Sequence, residues 1–230
     1  DRNGFNVKNK IIIINNGFDN VIKGDSTKGS TSNYSKIRIV YTGQLYEGIQ
    51  NPSPLFKAIS FLGQDIRERI EIFYAGTDER LFLQYAREFN VLNNVKSLGF
   101  ITKEQALSLQ ESASILLVIK SDNIEEEGIL PGKFFEYLRL KKPIITIGNR
   151  DNEFNKLSQK IGGIKIFGYN QSKELSIFLD RCVQNGNEDL SLLFSQTNEK
   201  EIIKFTWENL TKKLIKKIDS KVSLSSGKYN

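Results

Sequence analysis

Short apolar runs alternate with longer segments of helical period along most of the chain. Most of the runs are rich in β-branched residues and apolar on both faces, which is typical of parallel strands covered by helices on both sides. They lie at Ile11–Ile14, Ile37–Tyr41, Ile70–Ala75, Val95–Leu98, Ile115–Ile119, Pro143–Ile147 and Ile164–Phe167. The alternation predicts βα units built on one parallel sheet, which is an α/β fold.

Local signals mark where helices begin between these runs. Asn51-Pro52 places a capping residue before a proline suited to a first helical turn, and Thr77-Asp78-Glu79 places acids in one. The residues Thr102-Lys103-Glu104-Gln105 have the spacing of a capping box. We therefore predict that helices begin at these three points.

The chain is predicted to become helical after Gly168. Helical period covers Ser172–Val183, Leu190–Phe194 and Glu199–Ile218. In the last segment apolar residues recur in steps of three and four, which predicts one apolar stripe along about four turns. The stripe consists of Ile203, Trp207, Leu210, Leu214 and Ile218.

The composition is that of a folded protein with an ordinary core, because 39% of the residues are hydrophobic and 26% are charged. No apolar run approaches the roughly 20 residues that a membrane span needs. A single cysteine, Cys182, cannot form an internal disulfide, so we expect a reducing, cytoplasmic environment. Because the chain begins without Met, we expect it to be a piece of a longer protein.

Charge and residue types narrow the chemistry further. Thirty-three Lys and Arg against 27 Asp and Glu leave a net charge of +6, which favours anionic partners in general. The absence of histidine removes the commonest general base and metal ligand. Together with the single cysteine, it excludes a structural zinc site and a Ser-His-Asp or Cys-His catalytic set within this chain.

Two nucleotide-binding motifs are absent. Gly128–Lys133 resembles a P-loop, but only three residues separate its glycines, and Phe134 follows the lysine where Ser or Thr is needed. The dinucleotide fingerprint G-x-G-x-x-G follows none of the predicted strands. The chain is therefore predicted to be neither a P-loop protein nor an NAD- or FAD-binding protein of the usual kind.

The segment that follows the polar, acidic residues 121–128 is nevertheless unusual. Residues 131–148 (PGKFFEYLRLKKPIITIG) predict a loop, a short helix and a buried strand. Gly132 and Lys133 fall at the helix start, where free N–H groups attract an anion, and Glu136 follows one turn later, able to accept hydrogen bonds from a ribose diol. From the residues alone, solvated charges and turn glycines remain the favoured interpretation.

Five segments together resemble the C-terminal half of a GT-B glycosyltransferase of family 4, in that family's order and spacing and over most of residues 10–215. The last is the most specific. They are N-N-G-F-D (15–19), I-V-Y-T-G-Q-L-Y-E-G-I-Q-N-P-S-P-L-F-K-A-I (39–59), I-F-Y-A-G (72–76), L-G-F-I (98–101) and P-G-K-F-F-E-Y-L-R-L-K-K-P-I-I-T (131–146).

The resemblance implies a Rossmann-like domain over residues 1–185 and a C-terminal helical extension over 186–230. The low-complexity, polar composition of residues 23–35 predicts a mobile surface loop within that domain. Such a domain binds the nucleotide-sugar (NDP-sugar) donor of a retaining transferase that uses no metal or other cofactor, as in bacterial polysaccharide biosynthesis. The acceptor, a glycan or a lipid-linked sugar, binds the N-terminal half, which this chain lacks. We therefore expect this chain to bind nucleotide without transferring sugar.

The resemblance also assigns site residues by position. Glu136 corresponds to the acid that holds the ribose, and Gly132 and Lys133 face the diphosphate and sugar. Gly43 and Gln44 occupy the first strand-to-helix turn, which approaches the phosphates. The segment whose backbone reads the base comprises Gly99, Phe100 and Ile101, although the context of Phe100 is more typical of a core residue.

Two positions depart from the family's pattern. In the family's pattern seven residues separate two acids, and the first acid, eight positions before Glu136, is replaced by Gly128, so a shifted loop would have to supply the carboxylate, with Glu127 as the nearest candidate. The basic residue that usually follows the first-loop glycine is Gln44. Lys133 is therefore expected to hold more of the diphosphate charge.

Alternatives remain open at this point. The departures would also fit a non-catalytic nucleotide-binding module, whereas the lack of histidine counts against a UDP-sugar epimerase-like relative. The basic last helix either packs on its own domain or contacts an anionic membrane at the cytoplasmic face as a peripheral, amphipathic helix. Nucleic acid is not an expected partner, because the aromatic residues lie in apolar strand or helix contexts.

Overall fold

Six parallel strands form one sheet in the order β3-β2-β1-β4-β5-β6. The computed structural model describes residues 11–19, 36–121, 129–148, 152–185, 190–192, 195 and 197–226. The predicted loop at 23–35 lies outside these ranges. The strands are β1 (Ile37–Thr42), β2 (Ile70–Ala75), β3 (Val95–Ser97), β4 (Ile115–Ile119), β5 (Ile144–Ile147) and β6 (Ile164–Phe167).

Helices follow the strands and cover both faces of the sheet, so the Rossmann-like α/β prediction is confirmed. They are α1 (Ser53–Ser60), α2 (Gln64–Arg67), α3 (Glu79–Glu88), α4 (Lys103–Glu111), α5 (Gly132–Leu138), α6 (Asn152–Ile161), α7 (Ser172–Gln184), α8 (Glu199–Ile202) and α9 (Trp207–Ser226). The predicted capping box begins α4: Thr102 N–H donates to Gln105 Oε1 at 2.9 Å, and Gln105 N–H donates to Thr102 Oγ1 at 3.3 Å. The predicted starts after Pro52 and Asp78 are also confirmed.

Side chains alternate between two buried clusters, one on each face of the sheet. Ile39 and Tyr41 of β1 belong to one cluster, and Val40 between them belongs to the other. All five residues of β4 are buried. Burial on both sides explains why these strands are continuously apolar rather than alternately polar and apolar.

The predicted strand at Ile11–Ile14 is wrong. Ile11 and Ile13 are 62% and 73% exposed, and the run joins no sheet. A strand needs a neighbouring edge with which to pair, and this part of the chain instead approaches the C-terminal region. There Phe18 N–H donates to the Phe205 carbonyl at 3.0 Å, and Trp207 N–H donates to the Phe18 carbonyl at 2.9 Å.

The predicted single helix over Glu199–Ile218 is interrupted. After α8 and a 3-10 turn, Thr206 is extended, with φ of −69° and ψ of 142°, and forms a β-bridge with Phe18. A one-residue break leaves the apolar period nearly unchanged, so periodicity alone does not reveal it. The helix then restarts at Trp207 and continues to Ser226, past the predicted end.

The apolar stripe packs on its own domain at a single residue, since Ile203 and Trp207 at its beginning are 53% and 44% exposed. Leu210 is buried, whereas every residue from 211 to 220 is exposed, including Leu214, Ile215 and Ile218. The interpretation of α9 as a helix packed along its own domain therefore holds for its first turn alone. No helix within the described ranges is long and apolar enough to cross a membrane. The division at residue 185 stays a prediction.

Candidate functional site

The strand order creates a crevice between β1 and β4. The strands that follow β1 in the chain lie on one side of it, and those that follow β4 lie on the other side. The loops after β1 and β4 therefore run in opposite directions and leave a space at the carboxyl ends of these two strands. A cavity of about 560 Å³ opens there. Its walls come from the first loop, the end of β4 and the start of α5: Tyr41, Gln44, Tyr46, Ile49, Gln50, Val118, Ile119, Lys120, Ser121, Ile129, Pro131, Gly132, Lys133 and Glu136.

Lys133 and Gly43 are in direct contact at this cavity. A Cβ built on Gly43 would lie 1.5 Å from Lys133 Nζ and 2.1 Å from its Cε. Gly43 also has a φ of +121°, a conformation that residues with a Cβ rarely adopt. Only glycine therefore allows both the turn after β1 and the present place of the ammonium, which lies 5.9 Å from the centroid of the Tyr41 ring.

The Lys133 ammonium is partly buried and is therefore incompletely hydrated. Burial lowers the pKa of Lys133, and the nearby Glu136 carboxylate opposes that shift. A lowered lysine pKa means that the charged form lacks full solvation. An anion in the cavity would supply the missing stabilisation.

Glu136 and Gly132 are both exposed at the cavity, as positions one turn apart on α5 require. A Cβ on Gly132 would lie 3.0 Å from Asn16 Nδ2. The N-N-G-F-D segment therefore reaches the start of α5, a contact that the sequence pattern did not reveal. The structure thus brings four predicted residues together: Glu136, Gly132, Lys133 and Gly43.

Gln44 is a fifth predicted residue at this site, where it is exposed on the cavity wall. Hydrogen bonds fix both ends of its loop. The Tyr41 hydroxyl donates to the Gln44 carbonyl at 2.8 Å. Gln50 Nε2 donates to the Ile119 carbonyl at 2.9 Å, and Gln50 Oε1 accepts from Tyr46 N–H at 3.2 Å. Gln50 therefore joins the first loop to the end of β4, a role with no local sequence signal.

Lys120 is a residue of the cavity wall that sequence reasoning missed, although its ammonium lies over an aromatic ring outside that wall. It directly follows β4, is 5% exposed, and places Nζ 4.6 Å from the centroid of the Phe154 ring. A signal was present, since a lysine directly after a wholly apolar strand lies at the carboxyl edge where open α/β sheets bind ligands.

Gly99, Phe100 and Ile101 follow β3 and lie outside the cavity wall. Phe100 is 84% exposed, so its expected place in the core is wrong: β3 is a three-residue edge strand, and the chain leaves the sheet before position 100. The segment still adjoins the first loop through Gly76. Gly76 N–H donates to the Gly99 carbonyl at 2.9 Å, and a Cβ on Gly76 would lie 2.1 Å from the Gly43 carbonyl oxygen.

Glu127 and Gly128 lie outside the described residues, so the shifted acid stays a prediction. Within the described ranges, no group of three or more Asp, Glu, His or Cys side chains is placed to hold a metal ion.

A second cavity, of about 700 Å³, lies at the opposite edge of the sheet. Its walls include Lys36 and Lys96, but both ammonium groups contact Glu71, at 3.6 and 2.9 Å. The hydrogen bond from Lys96 is the main cause that lowers the pKa of Glu71. Glu71 therefore already pairs with both lysines, and this cavity lies at the amino ends of β1 and β2, whereas open α/β sheets bind ligands at the carboxyl ends of their strands.

Solved glycosyltransferases share this fold. Alr3699/HepE from Anabaena, in complex with UDP and glucose, matches with a TM-score of 0.66 and 14% identity, over 91% of this chain and 57% of that one. A glycosyltransferase from Rickettsia africae has a TM-score of 0.63 and 15% identity, over 90% and 56% of the two chains. The lipopolysaccharide outer core galactosyltransferase WaaB has a TM-score of 0.63 and 13% identity, over 92% and 56%.

The chain therefore spans a little over half the length of these solved structures. No protein-family model matches the sequence, and neither does any curated protein. At these identities the likeness concerns architecture. The chain has the Rossmann-like fold of one part of a GT-B glycosyltransferase, as the five sequence segments predicted.

Proposed function

We propose that this chain is the donor-binding half of a glycosyltransferase and holds the diphosphate of an NDP-sugar in the cavity between β1 and β4. The observation that carries the proposal is the partly buried Lys133 ammonium, placed against Gly43 at the carboxyl edge of the sheet. A lysine with lowered pKa in a crevice of this kind is a candidate anion ligand.

In the proposed mechanism the chain stabilises the leaving group. As the bond between sugar and diphosphate breaks, negative charge grows on the phosphate oxygens, and the ammonium group of Lys133 is already in place to oppose it. Glu136, exposed on the same wall, accepts hydrogen bonds from the ribose hydroxyls. The reaction proceeds with retention and without a metal, the acid of the sugar site coming from the loop that contains Glu127.

The base is proposed to lie beyond the first loop, toward Gly99, Phe100 and Ile101. This segment is supported by its adjacency to Gly43 through Gly76. The exposed ring of Phe100 offers a face on which a base could stack. UDP is the first nucleotide to test, because the Anabaena relative was solved with it.

The acceptor is proposed to bind a second half of the full-length protein. This follows from the share of the solved structures that the chain spans, and the likeness to WaaB, a lipopolysaccharide outer core galactosyltransferase, favours a bacterial glycan or lipid-linked acceptor. We propose that the exposed face of α9, which includes Trp207 and Ile218, contacts that second half. Contact between the α9 lysines and anionic lipid at the cytoplasmic face is the alternative, which flotation of this chain with anionic and neutral vesicles tests.

The decisive experiment measures nucleotide binding by this chain. We expect UDP, GDP or ADP to raise the unfolding temperature and to bind with a measurable Kd, and Lys133→Met to weaken that binding at least tenfold. Lys96→Met is the matched control, because Lys96 lies at the other cavity. Binding by none of the nucleotides at millimolar concentration, or equal loss in both variants, would contradict the proposal.

A non-catalytic binding module is the second candidate, favoured by Gly128 in place of the family's first acid. Sugar transfer separates the two. The full-length protein should consume the NDP-sugar if the first proposal is right, whereas this chain alone should only bind it. Nucleotide affinity that is unchanged in Glu136→Ala would favour the binding module.

A further inference from the structure

A buried tyrosine hydroxyl joins the two elements that form the cavity. Tyr137, on α5, is completely buried, and its hydroxyl accepts from the Thr42 backbone N–H at 3.1 Å. The same hydroxyl lies 3.2 Å from Thr42 Oγ1, which in turn accepts from Gln110 Nε2 at 2.7 Å. Thr42 precedes Gly43, and Tyr137 follows Glu136, so this contact lies directly behind the cavity.

The hydroxyl accepts a hydrogen bond from a β1 backbone N–H that β4 does not reach. Gly43 N–H donates to Ala75 of β2, so the preceding N–H, that of Thr42, points to the side of β4. The register of β1 with β4, however, extends only to Val40 opposite Leu116. Where β4 diverges to open the crevice, Tyr137 supplies the acceptor that the strand no longer provides.

We propose that Tyr137 is a positioning residue that keeps the turn at Gly43 and the Lys133 ammonium in register for binding a diphosphate. This inference rests on the proposed function. Tyr137 and Lys133 are one helical turn apart on α5, so a shift of α5 relative to β1 would separate Lys133 from Gly43. Burial raises the pKa of Tyr137 to about 12, so the hydroxyl keeps its proton near neutral pH.

The test is a double-variant comparison of Tyr137→Phe and Lys133→Met, with UDP and UMP as probes. If Tyr137 acts through Lys133, Tyr137→Phe should raise the Kd of UDP about tenfold and that of UMP much less. In the Lys133→Met background the same substitution should change the UDP Kd less than about twofold. A merely structural loss would persist undiminished in that background.

Tyr74→Phe is the matched control, because Tyr74 is equally buried and its hydroxyl accepts from Asp78 N–H at 3.2 Å, at the end of β2. Equal effects of Tyr74→Phe and Tyr137→Phe on UDP binding, or an effect of Tyr137→Phe that is additive with Lys133→Met, would overturn the inference alone. A wild-type chain that binds no nucleoside diphosphate would overturn it together with the proposed function.

Discussion

Replacing Gly43 by alanine should weaken nucleotide binding as well as destabilise the fold. The new Cβ would lie 1.5 Å from Lys133 Nζ, so the flexible lysine must move away. The φ of +121° adds backbone strain of about 1–3 kcal/mol, and each kcal/mol lowers the melting temperature by roughly 2–4 °C at this chain length. The displaced ammonium removes a charged hydrogen bond from the ligand, which costs about 1.5–3 kcal/mol, or a 10- to 150-fold rise in Kd.

Gly48→Ala is the matched control for this prediction. Gly48 lies in the same loop with a φ of +73°, but nothing lies within 4 Å of its added Cβ. Both variants should therefore melt earlier, whereas only Gly43→Ala should lose UDP affinity in calorimetric titrations. Equal UDP affinities of the two variants would refute the reasoning, as would a further loss when Gly43→Ala is added to Lys133→Met.

Three further predictions concern single side chains. Because burial lowers the pKa of Lys133 below its ordinary 10.5 and a bound diphosphate restores the charge, UDP binding near about pH 9 should take up protons, which calorimetry in buffers of different ionisation heat detects. Lys133→Met should abolish that part of the uptake. Phe100→Ala should leave the melting temperature within about 2 °C of wild type, because the side chain is 84% exposed, while lowering UDP affinity; a larger loss of stability would restore the core interpretation. Thr102→Ala removes a capping-box bond and should lower stability by about 1 kcal/mol without changing UDP affinity, and unaltered thermal unfolding would contradict the cap.

The charge and the burial of Lys133 act against each other in the empty cavity. Lys133 must stay charged to attract a diphosphate, yet its partial burial makes the charge costly in the empty site. The nearby Glu136 reduces that cost without closing the cavity, because it remains exposed. A ligand that brings two negative phosphates therefore gains more from this site than a neutral one of the same size.

Local features of the structure could be predicted from the sequence. Six of the seven apolar runs are strands, and β4 and β5, which are continuously apolar, are buried at every position. The capping box at Thr102 and the start of α5 at Gly132 depend on residues within one turn, so short sequence patterns identify them. The resemblance of residues 131–146 then directed attention to Lys133 and Glu136.

Tertiary structure alone decided which of these features meet. Ile11–Ile14 has the composition of a strand but has no edge with which to pair, and Thr206 interrupts a periodic helix in order to pair with Phe18, far away in the sequence. Lys120, Gln50 and Tyr137 come to the cavity because β1 and β4 are neighbours in the sheet. Amino-acid periodicity reports which face a residue buries, whereas the order of strands, and with it the crevice between β1 and β4, depends on contacts between distant segments.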